Sequence, residues 1–440
     1  MKQLFSTIAA VLFFSIASNA QNCSFDRVHD KLMSTDADYA DRHKASEERI
    51  YNAVWGAEQR STAAVRVVPT VIHVVHRTGI AVGTDENLTD ADIITEINQF
   101  NDRFRHTSQL TFSNPFSGAD TEIQLCLATQ DPSGSPTTGI VRHASDANTI
   151  NNMDNQNTQL AYNWPTTDYL NLYIVHTICD DDSPCPTANS VAGYAYLPSS
   201  HGQDYDGGVF KYSAFWDGLL AHELGHYFGL RHTFQSSGSC VNNDCTTDGD
   251  AICDTPPKEA CCTGPGGCNN TDNTCNTDED DTSSNNPFRA VSLGGLGDQP
   301  ESMENYMDFT ASCWEAFTEG QRDRMQVAMD VERVSLLSSN GCGPNGINDN
   351  ENSRTLRFSV SPNPSSDLVT LNFNSELTEE TQYFVRNMYG QLVMHGNYKS
   401  VFGRNEFQLN LSELADANYT ITLEMNGMQV SKRITKIKAN

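Results

Sequence analysis

The chain has 440 residues, too many for one ordinary domain and enough for two or three. Its 28 basic and 56 acidic residues leave a formal charge of −28, which favours solubility and argues against nucleic acid or an anionic membrane as partner. Past the N-terminal segment no apolar run reaches the ~18 residues of a spanning helix, so no transmembrane segment is expected.

In chain order, Lys2, the apolar run Ile8 to Ala17 and the small-residue end Ser18-Asn19-Ala20 read as a signal peptide over 1–20, cleaved after Ala20. Residues 21–60 are polar, with a helical stretch at Ser46 to Trp55, and read as a pro-segment with a trimming site at Arg60. Thirteen cysteines in an exported chain point to disulfides. Twelve lie between Cys126 and Cys342, seven of them from Cys240 to Cys275, and Cys23 stands apart. Six bridges and one free thiol are therefore expected. A Cys-rich zinc knuckle at Cys240 to Cys275 is the rival reading, disfavoured by the irregular spacing.

Val67 to Val75 is dominated by β-branched residues and predicts a strand, with His73 and His76 as strand residues rather than ligands. Thr89 caps a helix whose Ile93, Ile94, Ile97, Phe100 and Phe104 recur at helical spacing. Strands follow at Glu122 to Ala128 and Leu170 to His176, then an extended run at Val191 to Leu197. This order predicts an α+β fold.

His222-Glu223-Leu224-Gly225-His226-Tyr227-Phe228-Gly229-Leu230-Arg231-His232 reads H-E-x-x-H-x-x-G-x-x-H. Residues four apart share a helix face, so His222 and His226 present two imidazoles to one metal. Gly229 permits a turn out of the helix, which returns His232 as a third ligand. Three protein ligands leave tetrahedral zinc one open position for water. Glu223, beside the first ligand, is placed to act on that water as general base. Such a set of parts serves peptide-bond hydrolysis, with protein or peptide substrates.

Asn305-Tyr306-Met307-Asp308-Phe309 follows downstream. The Gly/Asn/Asp-rich stretch from Gly341 to Arg354 reads as a break, with a linker at 344–354. Beyond it, alternation at Ser359 to Phe373, Gln382 to Met388 and Tyr419 to Met425, with Asn426-Gly427 as a hairpin turn, predicts a small all-β sandwich over 355–440.

Ala221 to Phe234, with Asp250, Asp254-Thr255-Pro256 and Glu304 to Asp308, resembles the pappalysin (M43, cytophagalysin) branch of the metzincin metallopeptidases. Leu127-Ala128-Thr129 and Gly139-Ile140 fit the same family. The resemblance implies a metzincin-type zincin domain over 61–343, with a twisted sheet, an active-site helix and an irregular Cys-rich lower subdomain. It carries over His222, His226 and His232 as zinc ligands, Glu223 as base and Met307 as the residue of a supporting Met-turn. It also implies calcium near Asp248, Asp250, Asp254 and Thr255, substrate pairing along Val191 to Leu197, and a bridge from Cys313 to the Cys253 to Cys275 loop. Cys23 resembles a cysteine switch, whose thiolate fills the open zinc position of a latent zymogen. Two departures stand out. Phe309 replaces a common family Tyr, and Thr310 to Cys313 holds no acid that would select a basic residue after the scissile bond.

Ser361-Pro362-Asn363-Pro364, Met388-Tyr389-Gly390-Gln391, Asn418-Tyr419 and the basic end from Lys432 to Lys438 resemble a type IX (Por) secretion C-terminal sorting domain. That implies type IX machinery as partner and an extracellular or outer-membrane-surface location in a Bacteroidetes-type bacterium. The expected function is a secreted zinc endopeptidase. The alternative, a catalytically weak zincin scaffold that binds at the cell surface, rests on Phe309.

Overall fold

The computed structural model describes residues 23–437 except 57–64, 108–117, 180–190, 236–239, 260–272, 277, 279–281, 311–312, 343–357, 362–364, 376–379, 388–390, 402 and 426–427. The expected signal peptide, Arg60 and the linker at 344–354 lie outside the described residues. The chain forms two compact units, Met1–Pro344 and Asn345–Asn440.

The first unit opens with two helices, α1 (Phe25–Thr35) and α2 (Ala37–Trp55), where the sequence pattern suggests one. Asp36 separates them and caps α2, its carboxylate accepting from the Tyr39 N–H at 3.0 Å. Their buried positions are Phe25 and Val28, then Tyr39, Ser46, Ile50 and Val54. α1 carries Phe25, Val28 and Leu32 at helical spacing, whereas the α2 set is sparse and includes a serine, so no clean apolar stripe announces α2.

β1 (Arg66–His76) is buried along nearly its whole length. α3 (Asp90–Phe104) starts at Thr89, whose hydroxyl accepts from the Asp92 N–H at 3.1 Å. Its Ile93, Ile97, Phe100 and Phe104 are buried, whereas Ile94 is 37 % exposed, so the true stripe is narrower than the spacing implies. β2 (Ile123–Leu127), β3 (Ile140–Ala144), β4 (Ile150–Asn152), α4 (Asn157–Tyr162), β5 (Leu170–Val175), β6 (Thr177–Cys179), β7 (Gly193–Ala195) and β8 (Gly208–Lys211) follow. β1 anchors a six-stranded sheet. β2 and β3 pair parallel with its first and second halves, and β5 and then β8 continue the sheet on its other side. β7 forms the far edge, antiparallel to β8. His73 is a strand residue, its ring bonded to the Asn171 side-chain oxygen at 2.9 Å.

One sheet face packs α3 and α5 (Asp217–Tyr227) around Val68, Ile72, Leu172, Phe210, Leu220 and Leu224. The other buries Val75, Tyr173, Tyr194, Val209 and, from α1, Val28. After α5 the chain is irregular and stapled by Cys240–Cys275 and Cys245–Cys253, while Cys126–Cys342 ties β2 to the end of the unit. Cys179 and Cys313 are also disulfide-bonded, and Cys23 is a free thiol. α6 (Glu319–Val331) begins in a capping box of Thr318 and Gln321, and α7 (Val334–Leu337) follows. Between them Arg333 is fully buried, paired with Asp206 at 2.5 Å and lying 3.4 Å over the Tyr227 ring. It donates to the Tyr227 carbonyl at 3.0 Å and so pins the end of α5.

The second unit holds β9 (Phe358–Ser361), β10 (Leu368–Ser375), β11 (Glu380–Asn387), β12 (Leu392–Lys399), β13 (Gly403–Asn410), β14 (Ala417–Met425) and β15 (Met428–Lys436). A three-stranded sheet, β13-β10-β9, faces a four-stranded one, β12-β11-β14-β15, across a core of Val369, Leu371, Phe373, Leu409, Val385, Ile421, Leu423 and Ile434. This is the small all-β sandwich that the alternating pattern predicts. No helix among the described residues is long and apolar enough to cross a membrane.

Candidate active site

α5 is buried at every position. Its first turn is held to α3, where the Asp217 carboxylate pairs with Arg103 and the Asp217 N–H donates to Glu96 at 2.8 Å. Glu96 thus supplies the cap that Trp216 does not. One turn apart on this helix sit His222 and His226. The helix then ends in a tight turn, with the Leu230 N–H donating to the Gly225 carbonyl at 2.9 Å and Gly229 at φ +99°. Only glycine adopts that backbone without strain. A Cβ there would also crowd Ala328 at 3.1 Å and Pro198 at 3.4 Å. The turn brings His232 back to its partners.

The Nε2 of His232 lies 3.1 Å from that of His226 and 3.3 Å from that of His222. Ligand atoms of Cys23, His222, His226 and His232 all fall within 4.8 Å of one another. Each ring's Nδ1 faces an acceptor: the Tyr306 carbonyl at 2.5 Å, the Leu230 carbonyl at 2.9 Å and the Asp26 carboxylate at 3.0 Å. The ring hydrogen therefore sits on Nδ1, and Nε2 is a bare lone pair. Burial, reinforced by the neighbouring His232, holds His222 down to about 3 and His226 well below its ordinary value, so neither gains a second proton. Converging lone pairs in a dry pocket repel one another unless a cation lies among them. Corners of a tetrahedron with zinc–nitrogen bonds of ~2.0–2.1 Å are about 3.3 Å apart, close to the separations here. The donor set fits zinc.

Glu223 is fully buried. Burial raises its carboxyl to about 8. Its Oε2 lies 3.5 Å from the Cys23 thiol, and its Oε1 has no hydrogen-bond partner among the described residues. Beneath the helix runs the turn of Tyr306 and Met307. A Cβ on Gly225 would stand 2.3 Å from the Met307 sulfur, so that glycine makes room for the methionine. Asn305 fixes the turn through the Met307 N–H at 2.9 Å. Trp314 stacks on His222 at 4.8 Å, and Phe309 packs against His232 at 4.6 Å.

The four proposed calcium residues divide. Asp254 uses both oxygens at the start of α6, accepting from the Thr318 hydroxyl at 2.6 Å and the Gly320 N–H at 2.8 Å. Asp248, Asp250 and Thr255 line one pocket with Asn242 and Lys258. There one Asp250 oxygen and the Thr255 hydroxyl are buried without a partner among the described residues. Burial raises Asp250 to about 8.

Sequence reasoning missed several residues at the site. Phe25 stacks on His226 at 3.8 Å, and Asp26 bonds His232. Glu47 of α2 bridges Arg231 at 2.6 Å and Arg324 at 2.7 Å. Asp26 carried one usable signal, its place three residues after the unpaired Cys23. Glu47 carried none, because its partners are far away in the chain.

Fold and site together define a metzincin-type zincin. Residues 152–330 match the Peptidase_M43 family model, described as pregnancy-associated plasma protein-A. Residues 359–438 match the secretion system C-terminal sorting domain. An extracellular metalloprotease of Neurospora crassa is 33 % identical over 171 residues, 36 % of this chain and 46 % of the relative. One from Sordaria macrospora is 32 % identical over 171 residues, with the same shares of 36 % and 46 %. The chain thus spans about half the length of these curated relatives. One from Arthroderma otae is 23 % identical over 297 residues, 64 % of this chain and 85 % of the relative. A solved structure of a Tannerella forsythia promirolysin mutant shares the fold, with TM-score 0.51 and 22 % identity over 72 % of this chain and 97 % of that one. Residues 152–330 thus resemble an M43 metallopeptidase domain and residues 359–438 a Por secretion C-terminal sorting domain, and that metallopeptidase family implies a bound metal.

Proposed function

We propose that this protein is a secreted zinc endopeptidase made as a latent zymogen. The observation that carries the proposal is the convergence of His222, His226 and His232, with Cys23 as fourth neighbour and Glu223 beside it. The three histidines would hold zinc through Nε2, oriented by the carbonyls of Tyr306 and Leu230 and, in the precursor, by Asp26. Zinc, when bound, supplies Lewis acidity to the scissile carbonyl and to the attacking water. Glu223 takes the proton of that water and returns it to the leaving amine. β7 offers its edge to an extended substrate. The Gly193 carbonyl there accepts from the Ser24 N–H at 3.4 Å, and Cys23 pairs with Gly193 in a parallel bridge, which supports a pro-segment seated in the substrate's place.

Cys23 would be the fourth zinc ligand in the precursor, supported by its thiol 3.7 Å from the His226 Nε2. Calcium belongs in the pocket of Asp248, Asp250 and Thr255, where unpartnered oxygens suit a hard cation. Asp254, spent on α6, falls outside that ligand set. The type IX machinery handles the C-terminal sandwich.

The test is Glu223→Ala in the trimmed enzyme. It should keep zinc while casein hydrolysis falls by about 10²–10⁴-fold. Hydrolysis at the wild-type rate would remove Glu223 from the mechanism. No hydrolysis by trimmed, zinc-loaded wild type would favour the binding-protein alternative.

A further inference from the structure

Resting on the zymogen reading, we propose that Arg231 and Arg324 form a carboxylate-binding subsite of the mature cleft, which takes an acidic side chain of the substrate and which Glu47 fills in the precursor. The Arg324 Nη2 donates to both Glu47 oxygens at 2.9 and 2.7 Å, and the Arg231 Nη2 donates to one of them at 2.6 Å. One of the two arginines is held independently of Glu47. The Arg324 Nε donates to the Gly229 carbonyl at 2.7 Å. Its Nη2 is thus aimed at the carboxylate by the Nε bond to the backbone, an anchor that an ammonium lacks.

The pair adjoins the histidine cluster. Arg231 precedes His232, and the Gly229 turn is flanked by Pro198, just beyond β7, and by Ala328 of α6. Ile50 and Val54 of α2 pack on Val327 and Ala328. When α2 leaves, the chain that replaces it meets the same two guanidinium groups. Among the described residues no carboxylate other than Glu47 reaches either within ion-pair distance. Asp250 acts on Arg324 only through space. In a chain with 56 acidic residues against 28 basic ones, a pair of arginines whose described counterion departs with the pro-segment is set aside for another anion.

The experiment compares peptides that differ only by Glu or Gln at one position, moved residue by residue along both sides of the scissile bond. Binding is read by fluorescence anisotropy on trimmed, zinc-loaded Glu223→Ala protein, and cleavage is read on trimmed wild type. At one position Glu should bind about tenfold more tightly than Gln. Arg231→Gln should bring that ratio close to one, and Arg324→Lys, which keeps the charge but loses the Nε anchor on Gly229, should reduce it. Equal binding of Glu and Gln at every position overturns the subsite. So does a preference that survives both substitutions. Tighter Glu binding without cleavage by wild type keeps the subsite and removes the peptidase reading instead.

Discussion

Glu47→Gln tests whether charge holds α2 on the catalytic unit. Burial alone would raise the Glu47 carboxyl, but Arg324 and then Arg231 more than offset it, taking it from 4.5 down to about 2. At ~1.4 kcal/mol per pH unit that difference amounts to about 3 kcal/mol favouring the docked helix. The side chain is 20 % exposed, so solvent screens little of it. Glutamine keeps an acceptor oxygen but loses the charge and turns an N–H toward two cations, so about 2–3 kcal/mol should go. At ~1.4 kcal/mol per decade this raises the open fraction by roughly 30–150-fold. Amide exchange of α2 reads that fraction directly, in a Glu223→Ala background that cannot cleave itself. Exchange within threefold of the parent would refute the reasoning. Because the folded value is depressed, the stabilisation is complete above the unfolded value and is lost only as pH falls from about 4.5 toward 2. Moving from pH 7 to pH 5 should therefore not loosen α2 through Glu47.

Cys23→Ala should give a precursor that hydrolyses casein before any trimming, and unchanged latency would remove the thiol from the switch. Gly225→Ala should cost about 1–3 kcal/mol in urea unfolding, because the new methyl would stand 2.3 Å from the Met307 sulfur. In a Met307→Ala background the same substitution should cost less. Asp250→Asn should abolish any rise in melting temperature that calcium gives the parent, while a rise of equal size in the variant would place calcium elsewhere.

The histidine-bearing helix was legible because its chemistry is local. His222, Glu223 and His226 share one helix, and Gly229 is needed wherever the chain must turn back. The long parallel strand was legible through its run of β-branched residues and the α3 stripe through periodicity, with Ile94 the exception, since adjacent isoleucines at helical spacing do not reveal where the stripe ends. The two N-terminal helices were half hidden. The buried face of α2 is completed by Val327 and Ala328, which no local window contains. The second role of Asp254 was hidden for a related reason. The two donors it accepts from sit at the start of a helix more than sixty residues on.

The proposed latency replaces several contacts a substrate would make with groups of the same chain. The Cys23 thiol stands for water, the Ser24 N–H for the substrate backbone on Gly193, and Glu47 for an acidic side chain. While the chain is intact these contacts act at the high effective concentration of a tether, so each can be individually weak. Cutting near Arg60 turns the same set into a bimolecular complex held only by its own affinity. A buried pair such as Glu47 with Arg324 and Arg231 then decides how long the severed segment stays. Latency and release are thus separable properties. The thiol controls the chemistry, and the carboxylate controls the residence of the segment that carries it.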